Sequence, residues 1–254
     1  MFPLMKTRIL FIVCISVVGL AAFSCQDSDG TTTDGLTGKG GSLARFAVTA
    51  THLYAVEDDA LKVYQLMGNG ALEKINEVQL SPGVETIFVR EHWLYLGTVD
   101  AMITYDIATP ASPLFVSSYS HFVSCDPVVV QDTLAFVTLR TYSCRPASVN
   151  HLEIINIKDP QQPVMLTSYS LNSPYGLGVD GDLLFVCEGE SGLTVLNVKD
   201  PMNVKLVKRY AEDDAYDVIP NDGTLILTGK DGVAQYDYTD PDAIKKLSLI
   251  PVAP

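Results

Sequence analysis

The chain has 254 residues, 47% of them hydrophobic, and a formal net charge of −13. Two of the 17 basic residues and none of the 30 acidic ones fall within residues 1–24, so the remainder carries −15. Charge of that sign and size argues against nucleic acid and anionic membrane surfaces as direct partners, and solubility alone accounts for it.

Lys6 and Arg8 precede an apolar stretch of fourteen residues, Ile9 to Ala22. A bilayer-spanning helix needs roughly 20 apolar residues, so residues 1–24 read as a secretory signal rather than an anchor. The stretch ends at Ala22-Phe23-Ser24-Cys25, which resembles a bacterial lipobox with Cys25 as the lipidated residue. Ala22 stands where that signal usually has Leu, a looser form similar to that of Bacteroidetes-type bacteria. Ala-x-Ser also suits ordinary signal cleavage, which would leave a plain secreted protein. Gln26 to Ser42 is rich in Gly, Thr, Ser and Asp, with Leu36 as its only large apolar residue. Such a segment buries too little surface to offset its ordering entropy, so residues 25–42 read as a lipidated cysteine on a flexible linker. Asp27 and Asp29 resemble signals that send some lipoproteins to the outer surface. The expected location is the outer membrane, lipid-anchored, facing the periplasm or the exterior.

From Leu43 onward a unit of about forty residues recurs. Leu94-Tyr95-Leu96-Gly97-Thr98, Ile103-Thr104-Tyr105-Asp106-Ile107 and Thr109-Pro110 return as Leu183-Leu184-Phe185-Val186-Cys187, Thr194-Val195-Leu196-Asn197-Val198 and Asp200-Pro201. A period of this length built only from short strands predicts a five-bladed all-β propeller of four-stranded blades. The units fall near 43–83, 84–124, 125–173, 174–214 and 215–254. In the second unit the strands are expected at 85–90, 93–98, 102–107 and 114–120. Alternation such as Val204-Lys205-Leu206-Val207-Lys208 supports strands, and no helical spacing of apolar residues competes with it. Both ends of the repeat region fall near blade boundaries, so no strand exchange is evident. Closure would rest on packing of the first blade against the last, helped by residues near Leu43, or the arc would be completed by a partner chain.

Asp159-Pro160, Asp200-Pro201 and Asp240-Pro241 occupy one place in three units, with Thr109-Pro110 and Gly68-Asn69-Gly70 in the others. Asp accepts hydrogen bonds from the backbone ahead of it and Pro presets the next φ, so these are turn formers. They lack the multi-oxygen spacing of a calcium loop, and no metal site is expected.

Glu153-Ile154-Ile155-Asn156-Ile157 and Leu193-Thr194-Val195-Leu196-Asn197-Val198, each leading to Asp-Pro, resemble the repeat of the LVIVD family. Cys125-Asp126-Pro127, Leu139-Arg140, Cys144 and Pro174-Tyr175-Gly176-Leu177-Gly178 are similar to positions of LVIVD lipoproteins. The resemblance covers most of residues 44–254, is weakest in the first unit, and implies a bacterial, exported propeller with no established activity.

Cys125 opens an inner strand, and Cys144 sits in the second-to-third-strand loop of the same unit, which is longer than in its sisters. Both loops fall on one face of a blade, so a Cys125–Cys144 disulfide is expected, contributing about 3 kcal/mol by loop closure. Cys187, at the end of a second strand next door, competes for Cys125. No CxxC spacing supports zinc.

The same alignment places Arg45, Thr86, Asp126, Tyr175 and Asp217 at the starts of inner strands. Glu57, Asp58, Asp100, Arg140, Glu188 and Lys230 follow second strands, so all of these ring one mouth of the central channel. Asp126, Arg140, Tyr175, Glu188, Asp217 and Lys230 are the candidate ligand-binding set. Against it stands a purely structural network, for instance Asp126 with Arg140. No catalytic residue is assigned. His52, His92, His121 and His151 occur singly, no Gly-x-Ser-x-Gly elbow exists, and no phosphate-binding loop or cofactor signature is present. The expectation is an envelope binding or scaffolding module for a protein or a small polar or carbohydrate ligand. The alternative is a hydrolase or lyase using Asp126 as acid, Arg140 as anion clamp and Glu188 as base.

Overall fold

The computed structural model describes residues 40–120, 127–140, 150–211 and 214–252. They form five four-stranded antiparallel sheets, the blades of a five-bladed β-propeller. Blade 1 holds β1 (Phe46–Val48), β2 (His52–Glu57), β3 (Ala60–Leu66) and β4 (Leu72–Gln79). Blade 2 holds β5 (Val84–Arg90), β6 (Trp93–Thr98), β7 (Ala101–Asp106) and β8 (Leu114–Ser120). Blade 3 holds β9 (Val128–Gln131), β10 (Leu134–Leu139), β11 (His151–Asn156) and β12 (Val164–Ser170). Blade 4 holds β13 (Leu177–Asp180), β14 (Leu183–Cys187), β15 (Leu193–Asn197) and β16 (Lys205–Tyr210). Blade 5 holds β17 (Asp217–Asn221), β18 (Thr224–Gly229), β19 (Gly232–Asp237) and β20 (Lys245–Pro251). Each sheet keeps its strands in sequence order, so among the described residues no strand is exchanged between blades.

A bulge recurs between the third and fourth strands of every blade, at Val63/Tyr64, Thr104/Tyr105, Ile154/Ile155, Val195/Leu196 and Gln235/Tyr236. The extra residue on the fourth strand is Ile75, Val116, Leu166, Val207 or Leu247, an aliphatic side chain each time. A bulge increases local twist, and its repetition coils all five outer edges alike.

The Pro turns act as sequence reading expects, and they also join blades. Asp159, Asp200 and Asp240 accept through Oδ1 from Gln161, Met202 and Asp242 N–H. The carbonyls of these turns then receive side chains from the preceding blade. Tyr54 donates to Pro110 O at 3.0 Å, Ser117 to Pro160 O at 2.6 Å and Tyr210 to Pro241 O at 2.7 Å.

Apolar cores lie between successive blades. One joins blades 1 and 2 around Tyr54, Leu61, Leu94 and Leu96, and a second joins blades 2 and 3 around Tyr95, Met102 and Val137. A third joins blades 3 and 4 around Phe136, Leu152 and Leu184, and a fourth joins blades 4 and 5 around Phe185, Leu193 and Leu227. Among the described residues no such core joins blade 5 to blade 1. Among the described residues, the segment before β1 bridges this gap instead.

Candidate functional site

Antiparallel order sets two faces. The upper face carries the starts of the inner strands and the turns between second and third strands; the lower face carries the inner-strand ends and the Pro turns. The predicted mouth lies on the upper face. Asp126 lies outside the described residues, as do Cys25, Cys125 and Cys144, and with them the proposed lipidation and disulfide.

Arg140 and Tyr175 meet where blades 3 and 4 adjoin, and Asp217 belongs to a separate cluster at the start of blade 5. The Arg140 guanidinium stands 3.7 Å over the Tyr175 ring, and Tyr175 tilts against Tyr216 with centroids 5.6 Å apart. A cation over an aromatic face gains about 0.5–2 kcal/mol, so this stack steadies the upper face. Thr138 Oγ1 donates to the Tyr175 carbonyl at 2.9 Å and anchors it to blade 3.

Glu188 does not join that stack. Its side chain is fully buried, accepts from Asn172 N–H and the Thr194 hydroxyl, and has Arg209 Nε at 3.7 Å. Those donors hold the loop from Leu171 to Pro174 against blade 4. Lys230 is exposed in the turn between β18 and β19. Glu57 is paired with Lys62 at 2.5 Å, and Asp100 accepts from Thr98 within its own turn.

Asp217 is the hub of a structural clamp. Its carboxylate accepts from Ser42 Oγ at 3.0 Å and from the backbone N–H groups of Ser42, Leu43 and Val218. Burial pushes its acidity toward a higher pKa, while these hydrogen bonds pull the other way. Ser42 is 1% exposed, and its Oγ also accepts from Leu177 N–H at 2.7 Å. Two residues on, the Ala44 carbonyl accepts from Ile87 N–H at 2.9 Å. Three consecutive residues thus reach from blades 4 and 5 to blade 2, across the upper mouth. Glycine is required beside this carboxylate: a Cβ at Gly41 or Gly176 would stand 1.9 Å or 2.2 Å from an Asp217 oxygen.

Beneath the clamp is a cavity of about 510 Å³ faced by all five inner strands. Its wall is largely apolar, including Phe46, Val48, Phe88, Val89, Val179 and Ile219, with Gly40 and Gly41 at one end. Arg90, Gln131, Asp180 and Asn221 lie toward the lower face. The Gln131 amide pairs with both backbone groups of Gly181, at 2.8 Å and 3.0 Å, and Asp180 accepts from the Tyr238 hydroxyl. Sequence reading placed polar residues at the upper mouth and missed this wall. The available signal was the apolar run of each inner strand ending in Arg90, Gln131, Asp180 or Asn221.

Cys187 is buried and unpaired, and burial with Asp217 and Glu188 nearby pushes its thiol well above the ordinary range. It is a core side chain, not a nucleophile. Among the described residues no group of His, Cys, Asp and Glu is arranged to hold a metal ion.

No family model and no curated protein matches the sequence. Solved structures do resemble the fold. A functionally unknown protein from Desulfotomaculum acetoxidans DSM 771 superposes with a TM-score of 0.66 at 9% identity, over 84% of this chain and 68% of that one. The periplasmic gluconolactonase PpgL of Pseudomonas aeruginosa gives 0.61 at 14% identity, over 80% and 68%. BamB from Moraxella catarrhalis gives 0.55 at 12% identity, over 73% of this chain and 54% of its own. These likenesses show the propeller fold, and the chain spans 54% to 68% of the length of these three proteins.

Proposed function

We propose that this chain is a binding or scaffolding module of the cell envelope, built from LVIVD-type repeats and tethered to the outer membrane through Cys25. The carrying observation is the 510 Å³ channel faced by all five inner strands, a volume suited to a small ligand. Glu188 and Asp217, the two carboxylates of the candidate set that lie among the described residues, are each held by structural donors, which favours binding over turnover. A small polar or carbohydrate ligand, or a protein segment, enters from the lower face, because the Ser42 clamp lies over the upper one. The periplasmic setting of one structural neighbour fits the envelope location.

Calorimetry of the mature chain with a panel of neutral sugars, sugar acids and lactones tests the reading. Binding weakened tenfold or more by Val179→Trp, which fills the channel, supports it. Turnover of any panel member that vanishes in Glu188→Gln would instead establish the hydrolase. Retention of Cys25→Ser in the membrane fraction would remove the tether.

A further inference from the structure

The channel wall is apolar in its side chains but polar in its main chain. Each inner strand is the free edge of its sheet, bonded on one side to the second strand and facing the channel on the other. In an antiparallel pair, residues alternate between exchanging main-chain hydrogen bonds with the partner and turning both groups away from it. The observed bonds fix the phase. Thr49 N–H donates to His52 O in blade 1, Thr138 N–H to Pro127 O in blade 3 and Cys187 N–H to Gly176 O in blade 4. Counting in steps of two from these ladder positions, the residue opposite the second position of each second strand turns its main chain into the channel. That residue is Val48, Val89, Val130, Val179 or Pro220, one tier around the cavity. Pro220 obeys this phase: proline has no N–H, and it fits inside a strand where that N–H would serve no ladder bond.

The tier above shows what takes such groups. Ile87 N–H donates to Ala44 O at 2.9 Å and Leu177 N–H to Ser42 Oγ at 2.7 Å, so a stretch of this chain's own polypeptide satisfies two inner edges. Two residues further along β5 and β13, Val89 and Val179 present the same donors, and among the described residues no other part of the protein takes them. Polar side chains at the lower end are committed elsewhere. Gln131 pairs with Gly181, Asp180 accepts from Tyr238, and Arg90 stands 3.7 Å from Asp132. A sugar would meet an apolar wall with few side-chain partners. An extended peptide matches main-chain donors and acceptors at strand spacing and buries apolar side chains beside them.

We propose that the channel binds an extended, apolar peptide segment, which enters by the lower mouth and pairs its main chain with the inner-strand edges at Val89 and Val179. The proposal rests on the reading of the channel as a binding site and names its ligand class. Ile87 to Arg90 covers about 10 Å of strand, the length of three or four extended residues. Carbonyls of the segment accept from the inner-edge N–H groups, its own N–H groups donate to carbonyls of the same tier, and its side chains lie against Phe46 and Phe88.

Calorimetry of the mature chain with the blocked tetrapeptide acetyl-Ala-Val-Ala-Val-amide tests this. An analogue with esters in place of the two central amides lacks two N–H donors and should bind at least tenfold more weakly. Val89→Pro and Val179→Pro each remove one channel donor at the register where Pro220 already stands. At least one of them should weaken peptide binding tenfold with the melting temperature kept. The ester analogue leaves the protein untouched, so it decides the matter even where a proline variant unfolds. Equal affinity for the peptide and its ester analogue would overturn the proposal. Sugar binding that Val179→Trp blocks, with none for the peptide, would overturn it and leave the channel reading standing. No binding by the peptide or by any sugar, sugar acid or lactone would overturn both.

Discussion

Asp217 shows how one carboxylate substitutes for a missing interface. Four hydrogen bonds converge on it from Ser42, Leu43 and Val218, and removing them leaves buried donors without partners. Each such donor costs about 1–3 kcal/mol, so Asp217→Ala should lower urea stability by at least 2 kcal/mol, with Ser42→Ala costing less. The pH dependence follows from the direction of the shift. Because the folded pKa lies above the ordinary 3.8, this group's contribution is fully present below 3.8 and is lost as pH rises through the raised folded value. A difference curve of melting temperature against pH, wild type minus Asp217→Asn, should fall over that window; a flat curve would show the carboxylate is not strained by burial. Cys187 gives a second readout at this scale. Its thiol should resist iodoacetamide at pH 8 in the folded protein and react once urea unfolds it.

At the scale of elements, the Pro turn does more than reverse the chain. Its side chains satisfy its own backbone, while its carbonyl receives the neighbouring blade. Ser117→Ala removes one such bond and leaves Pro160 O partly buried, so a loss of about 1 kcal/mol is expected in urea denaturation. These turns were legible in the sequence, and so were the strands. In the second unit the expected spans match those observed to within one residue, because alternating side chains and turn formers are local signals. The role of the carbonyls was not legible, since a backbone acceptor leaves no mark on residue identity. The upper-mouth set was legible only as a ring. Arg140 does meet Tyr175, but Glu188 turns inward to Thr194, and register alone does not say which way a turn residue points.

At the scale of the molecule, the four cores that the described residues form between five blades make the stability uneven. Phe185→Ala empties the seam between blades 4 and 5 and should cost about 3–5 kcal/mol. Ile226→Ala, at the same register on blade 5, should cost under about 1 kcal/mol in the isolated chain, because that side chain is already largely in solvent. Equal losses in urea would mean that blade 5 is covered in solution. The sequence by itself determined the repeat, the four strands of each unit and the turns between them, since each depends on residues a few positions apart. Tertiary structure alone decided that no apolar core joins blades 1 and 5 among the described residues, that Ser42 and Asp217 meet across 175 positions, and that the channel lies under that clamp. The physical reason is that ring closure depends on how two remote sheet faces complement each other. Lys62 at the start and Ile226 near the end show their mismatch only when the fold brings both to the same seam.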